Sequence, residues 1–308
     1  MRQYVVRHET RYGYRAPVDI GLHVLRLTPL NIGGQQVVRH GLVILPEPTR
    51  MEALLDHFGN TIHHIAVETM HDQFIVTLDA QVDVTRRAVS EDGPSWEEIR
   101  KAMRDDGFPR SPGTAEFVYP SPLALPDDAV TAYTLESFPE GRHIIPALRD
   151  LAGRIHDDFA YTPNLTNIAT SVVEVLSLRR GVCQDFAHLM IAGLRGLGLP
   201  ARYVSGYVYN RPVEGQAARP GSDASHAWVS VWCGEELGWA EFDPTNNLRV
   251  ENEHIVLAYG RDFQDATPLR GVILGGGSHT LKVAVEVRNL DASETSPPHG
   301  QSGLPNSL

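Results

Sequence analysis

Short runs of β-branched and aromatic residues dominate the start of the chain. Tyr4-Val5-Val6-Arg7-His8-Glu9-Thr10 and Val82-Asp83-Val84-Thr85 alternate in part, and Leu22 to Leu27 and Phe74 to Leu78 read as further strands. Turn chemistry at Phe58-Gly59-Asn60 separates two of these runs. Several short strands with no long helix between them predict a β-sandwich over residues 1–88. Residues 89–140 break that pattern: Pro94, Pro109, Pro112, Pro120, Pro122, Pro126 and Pro139 punctuate them, with one short helix expected near Trp96 to Arg100. They hold too many apolar residues for a free linker and read as a connecting segment packed across both domains.

From residue 141 the period turns helical. Leu148, Leu151 and Ile155 share one helix face, and Ser171-Val172-Val173-Glu174 has the form of a capping box that starts a short helix. Phe186, Leu189, Met190, Leu194 and Leu197 continue at helical spacing from Cys183, and Gly198 and Pro200 end that run. The period then changes to two: Arg202 to Tyr209, His226 to Trp232 and Trp239 to Phe242 predict strands. The fold class is therefore α+β, a buried helix packed on an antiparallel sheet within a second domain over 141–290. Residues 291–308, rich in Ser, Pro, Gly and Asn, read as a disordered tail.

Composition narrows the function classes. A formal charge of -11, with no basic run longer than Arg86-Arg87, argues against nucleic acid as a partner. No stretch approaches the roughly 18 apolar residues that span a bilayer, so no membrane partner is expected. Cys183 and Cys233 are the only cysteines and form no Cys-x-x-Cys pair. With a start interrupted by charge, they suggest a reducing, cytoplasmic setting.

Candidate chemistry gathers in the second domain. Gly181-Val182-Cys183-Gln184-Asp185-Phe186-Ala187 places a cysteine in the first turn of a helix, where unpaired N–H groups and the helix dipole favour thiolate. Taken alone, a small buried cysteine explains it as well. His226 opens the predicted strand Ser225 to Val231, 43 positions later, and supplies a base. Asp243, 17 positions further and followed by Pro244, could orient that base, although Asp-Pro turns are common. Gln184, Tyr161 and Trp228 are candidates for contacts to a substrate or oxyanion, with Trp228 and Trp239 reading equally as core. His188 reads as structural, Arg261, Asp262 and Asp265 as an ion-paired loop, and Cys233 as packing. A metal site from Cys183, His188, His226 and Cys233 lacks the close ligand pairs of structural zinc sites, and no cofactor motif is present.

These blocks, with His226-Ala227-Trp228 and Asp243-Pro244-Thr245, resemble the three active-site blocks of the transglutaminase-like superfamily, which shares the papain-like cysteine protease fold. Gly198 to Tyr207, Asp56 to Asn60 and Gly260 to Pro268 are also similar to bacterial members that carry an N-terminal β domain. The resemblance implies a Cys183–His226–Asp243 triad and an acyl-thioester route on amide bonds of a protein or peptide. It implies an oxyanion held by backbone N–H groups including that of Cys183. The sequence does not identify the second donor; the Tyr-, Asn- and Thr-rich stretch from Tyr161 to Asn167 is a candidate source. Hydrolysis is the expected outcome. Transamidation of glutamine, or a non-catalytic binding module on the same fold, are the alternatives.

Overall fold

A computed structural model describes residues 1–86, 90–105, 113–210 and 224–291. The expected tail after Asp291, together with Arg87, Pro109 and Pro112, lies outside these residues.

The first five strands are β1 (Arg2–Leu25), β2 (Gln35–Leu45), β3 (Arg50–Leu55), β4 (Thr61–Val67) and β5 (His71–Val84). They are followed by α1 (Trp96–Asp105), a 3-10 turn at Ala115–Val118, α2 (Asp128–Leu135) and α3 (Ile144–Asp158). Two-residue strands β6 (Ala160–Tyr161) and β7 (Arg180–Gly181) flank α4 (Val172–Leu178), and α5 runs Cys183–Gly196. The remainder comprises β8 (Ala201–Val208), β9 (His226–Trp232), β10 (Trp239–Asp243), β11 (Leu248–Arg249), β12 (His254–Gly260), α6 (Phe263–Ala266), β13 (Leu269–Gly275) and β14 (His279–Asn289).

The strand-rich N-terminal unit is one continuous seven-stranded antiparallel sheet organised around β1. That strand changes register between Gly13 and Val18 and serves both halves of the sheet. Its first half lies between β5 and β14, its second between β4 and β13. The two halves share a core of Tyr4, Val6, Leu25, Ile65, Phe74 and Val76. Strands β13 and β14 thus belong by hydrogen bonding to the first sheet, although the sequence pattern groups residues 269–289 with the second domain. A pattern read locally shows alternation, not which distant strand completes the pairing.

The second sheet has the order β11-β10-β9-β8-β12 and is antiparallel throughout. Ala227, Val229 and Val231 of β9 and Ala240 and Phe242 of β10 share a core with Phe186, Leu189 and Met190 of α5. By strand alternation His226, Trp228, Glu241 and Asp243 belong to the opposite face. There Trp228 packs with Leu30 from the first sheet's β1–β2 connection. The connecting segment joins mainly the helical side: Trp96, Ile99, Val130, Tyr133 and Phe138 are in the α5 core. Phe117 lies 5.5 Å from Trp239 and 5.9 Å from Phe58, so the segment also touches the first unit. Among the described residues no helix is long and apolar enough to cross a membrane.

Candidate active site

Local chemistry explains why Cys183 stands where it does. Ser171 and Glu174 form the expected reciprocal cap on α4. Strand β7 follows at once and pairs in parallel with β6, aligning Tyr161 with Gly181. The chain then enters α5 through Val182. Asp185 bends back to accept the Val182 N–H at 2.8 Å and the Thr166 hydroxyl at 2.6 Å, satisfying an orphan donor of the helix start. A Cβ at Gly181 would sit 2.8 Å from that carboxylate and 2.9 Å from the Asp185 Cβ, so glycine makes room for Asp185 to reach back. Asp185 is buried, and burial raises its pKa against those hydrogen bonds.

Cys183 is half-buried and opens a cleft of ≈ 340 Å³ lined also by Tyr161, Asn164, Thr166, Gln184, Ser225 and His226. A larger hollow of ≈ 900 Å³ lies between the two sheets, lined by Arg86, Arg202, Trp239 and Tyr259 among others, with neither cysteine nor histidine among its described lining residues. The smaller cleft is the one that holds the candidate residues Cys183 and His226.

His226 is fully enclosed and donates from Nε2 to Asp243 Oδ2 at 2.8 Å. Nδ1, buried and without another partner among the described residues, is the nitrogen left for the thiol. Burial alone would lower the imidazole's proton affinity. The charge and hydrogen bond of Asp243, helped by Cys183, instead raise its pKa to about 10. Burial would raise the Asp243 pKa, but His226 and hydrogen bonds from His226 and His254 hold it far below the usual carboxylate range. The carboxylate is well supplied. Oδ1 accepts from the N–H groups of Thr245 (3.0 Å) and Asn246 (3.2 Å), and Oδ2 from Asn246 Nδ2 (2.8 Å) and His254 Nε2 (3.1 Å) as well as His226.

His226, Asp243 and His254 present ligand atoms within 4.8 Å of one another, a set that suits a divalent ion by type. Their 2.8 and 3.1 Å separations are those of N–H···O bonds, with a third donor on the same oxygen, so protons occupy the space between them. The other cation set does not converge: β9 runs its full length between His226 and Cys233, and His188 Nε2 accepts the Phe263 N–H at 3.2 Å.

Comparison with known proteins follows the same division. Residues 4–83 match the bacterial transglutaminase-like N-terminal region, and residues 139–244 match the core of the transglutaminase-like superfamily. The chain belongs to the transglutaminase-like superfamily. The uncharacterised protein Rv2569c of Mycobacterium tuberculosis is 40% identical over 294 residues, covering 92% of each chain. A protein-glutamine gamma-glutamyltransferase of Pseudomonas aeruginosa is 36% identical over 106 residues, 31% of this chain and 15% of that protein. The crystal structure of a candidate cysteine protease from Cytophaga hutchinsonii superposes with a TM-score of 0.73 at 21% identity, covering 96% of this chain and 92% of its own.

Within this transglutaminase-like frame Cys183, His226 and Asp243 meet at one end of the core sheet, and Tyr161 and Gln184 line the cleft beside them. Trp228 does not. It is fully buried behind His226, with ring centroids 6.1 Å apart, and donates to Glu241 at 2.9 Å, so it touches no substrate in the cleft. Alternation sends it to the same face as His226 but one pair further into the sheet. Sequence reasoning missed His254 and Asn246, which complete the Asp243 shell. Asn246 stands three positions from Asp243, where a turn side chain can reach back. His254 carries no local signal, because only the folding of β12 brings it near.

Proposed function

We propose that the protein is a cysteine-nucleophile amidohydrolase acting on carboxamide or peptide bonds of a protein or peptide. The observation that carries this reading is the arrangement of a half-buried helix-start thiol beside an imidazole whose second nitrogen is bonded to a buried carboxylate. An imidazolium next to a sulfur atom favours thiolate. Cys183 Sγ attacks the carboxamide carbon, and the displaced amine or ammonia leaves with a proton from His226 Nδ1. Water then attacks the thioester carbon and gives a proton to Nδ1, so that acid is released and the thiol–imidazole pair is restored. Asp243 stays ionised throughout and steadies the imidazolium. The backbone N–H of Cys183 is one donor for the oxyanion, and Tyr161 and Gln184 stand near enough to shape its pocket.

Asn164, Thr166, Ser205 and Ser225 give the cleft polar walls with hydrogen-bonding groups suited to an attacking water, which supports hydrolysis. The local likeness to a gamma-glutamyltransferase supports the same first half-reaction and leaves the acceptor as the point to measure. A glutamine peptide panel is incubated with the protein, with and without a primary amine. Ammonia or cleaved peptide without amine incorporation is expected, and Cys183→Ala should abolish both. Amine incorporation would replace hydrolysis by transamidation, and turnover by Cys183→Ala would sink the reading altogether.

A further inference from the structure

Among the described residues three side chains donate to Asp243 Oδ2, and they differ in kind. His226 is the proposed proton carrier. Asn246 lies in a half-buried turn. His254 is buried, opens β12 and reaches Asp243 Oδ2 from outside the β9–β10 pair at 3.1 Å. The Trp228 ring packs edge-on against it at 5.0 Å, fixing the imidazole plane.

Strand β12 lies at the edge of the core sheet, next to β8. An edge strand has outward-facing N–H and C=O groups with no strand to meet them. Here the first sheet meets them with side-chain amides. Gln35 accepts the Val256 N–H at 2.7 Å through Oε1 and donates to the Val256 carbonyl at 2.9 Å, as a neighbouring strand would. Asn60 does the same for Tyr259, at 2.8 and 2.7 Å. Leu30 adds its N–H to the Val256 carbonyl at 3.1 Å. On the inner side Gly206 lets β12 and Trp228 approach: an added Cβ would sit 2.1 Å from the Ile255 carbonyl and 2.4 Å from the Trp228 ring. The register of β12, and hence the position of His254, is set from both sides.

The charge state follows from what faces the ring. Burial lowers the His254 pKa; Asp243 works against this, while His226 and Arg86, the other charged neighbours, favour the neutral form. A second imidazolium would divide the carboxylate's charge between two partners. A neutral Nε2–H holds the oxygen in place and leaves the charge to His226.

We propose that His254 is a positioning residue: a neutral N–H donor that fixes the Asp243 carboxylate toward His226, itself held in register by Gln35 and Asn60 of the N-terminal sheet. This rests on the cysteine-nucleophile reading. It also gives the N-terminal unit a part in the site. His254 lies beyond the residues 139–244 that match the superfamily core, and Gln35 and Asn60 belong to the other matched region.

The test uses the full chain and iodoacetamide, with labelling of Cys183 followed from pH 5 to 10 in wild type, His254→Phe, His254→Gln and His226→Phe. His254→Phe should slow labelling at pH 6.5 by about tenfold, equivalent to one unit in the imidazole's proton affinity. It should rejoin wild type in alkali, where an accessible thiol ionises unaided. His254→Gln, which keeps an N–H donor, should stay within about threefold of wild type. If His226→Phe slows labelling and His254→Phe does not, the positioning role is wrong and the nucleophile reading stands. If His226→Phe has no effect, both fall. In wild type, nitrogen-15 histidine shifts should report His254 as neutral and protonated on Nε2 from pH 5.5 to 8. The Nδ1–H tautomer or an imidazolium would overturn the proposal even if the Phe variant does not fold.

Discussion

The two sheets bury their residues in different ways. In the first, β3 is exposed along its whole length, β13 and β14 are largely so, and β1 alternates. In the second, β9 and β12 are buried at every position: α5 covers one face of β9, Trp228 and Val256 pack with Leu30 of the β1–β2 connection, and Ile255 and Leu257 of β12 join the first sheet's own core. Charges consequently meet different fates. Arg7 and Asp79 pair across β1 and β5 with both side chains about half exposed, at 54% each. Arg86 and Glu241 pair at 2.6 Å with 13% and 9% exposure, and Trp228 and Tyr259 also donate to Glu241. Solvent screens the first pair far more than the second. Leu30 of the first sheet's β1–β2 connection packs on Trp228 at the back of the core sheet, the face on which Asp243, His226 and His254 are buried.

The largest effect should come from the deepest group. Asp243→Asn keeps the shape of the side chain but removes the charge that raises the His226 pKa, and can present an N–H where an acceptor is needed. The turnover of a glutamine peptide should fall about 10³- to 10⁴-fold, the scale known for a triad aspartate, with little change in fold by circular dichroism. A loss below tenfold would mean that burial at this end of the sheet does not serve chemistry.

Arg86→Ala against Arg7→Ala tests the comparison through stability. Removing Arg86 strands the Glu241 carboxylate, whose pKa burial would raise and which Arg86 and Trp228 hold below its usual value. A cost of about 3–5 kcal/mol is expected from urea unfolding, against less than about 1 kcal/mol for Arg7→Ala. Similar values for the two would show that solvent screens the buried pair as fully as the exposed one.

How much of this was legible in the chain follows the same contrast. The α5 start, its Gly198 stop, the capped α4 and the strands β8 to β10 were readable because each has a local signature: a cap, a period or a turn residue. Cys183, His226 and Asp243 stand out through their resemblance to the superfamily's three active-site blocks, and each sits at the end of such an element. What escaped was long-range closure. The pairing of β13 and β14 with β1 spans most of the chain. Gln35 imitates a strand for a partner 221 positions away. Trp228 could not be assigned to core or cleft by alternation alone, since the face it shares with His226 is covered by another unit.

Acid should act on both sheets together, with the smallest effect per group. Burial lowers the pKa of His8, His23 and His188 to about 4, His23 being affected also by His71 and His188 by neighbouring charges. Between pH 6.5 and 4 the unfolded chain binds more protons at these residues than the folded one, so stability is full above that window and falls as pH drops through it. His226, raised to about 10, works in the opposite sense and contributes stability that is lost as pH rises toward that value. About 1–3 kcal/mol per buried histidine should disappear by pH 4, in one transition. The two units share a core that includes Tyr207 and Ile255, and His8 bonds the Tyr207 hydroxyl at 2.8 Å. His23 isolates the effect. Its ring stacks on Phe74 at 4.1 Å, and both its nitrogens are buried without a partner among the described residues. His23→Phe should therefore leave stability at pH 7 equal or higher and make the acid limb shallower by one proton. An unchanged limb, or two separate transitions, would mean that the sheets answer to pH independently and that burial in the first unit is looser than its packing implies.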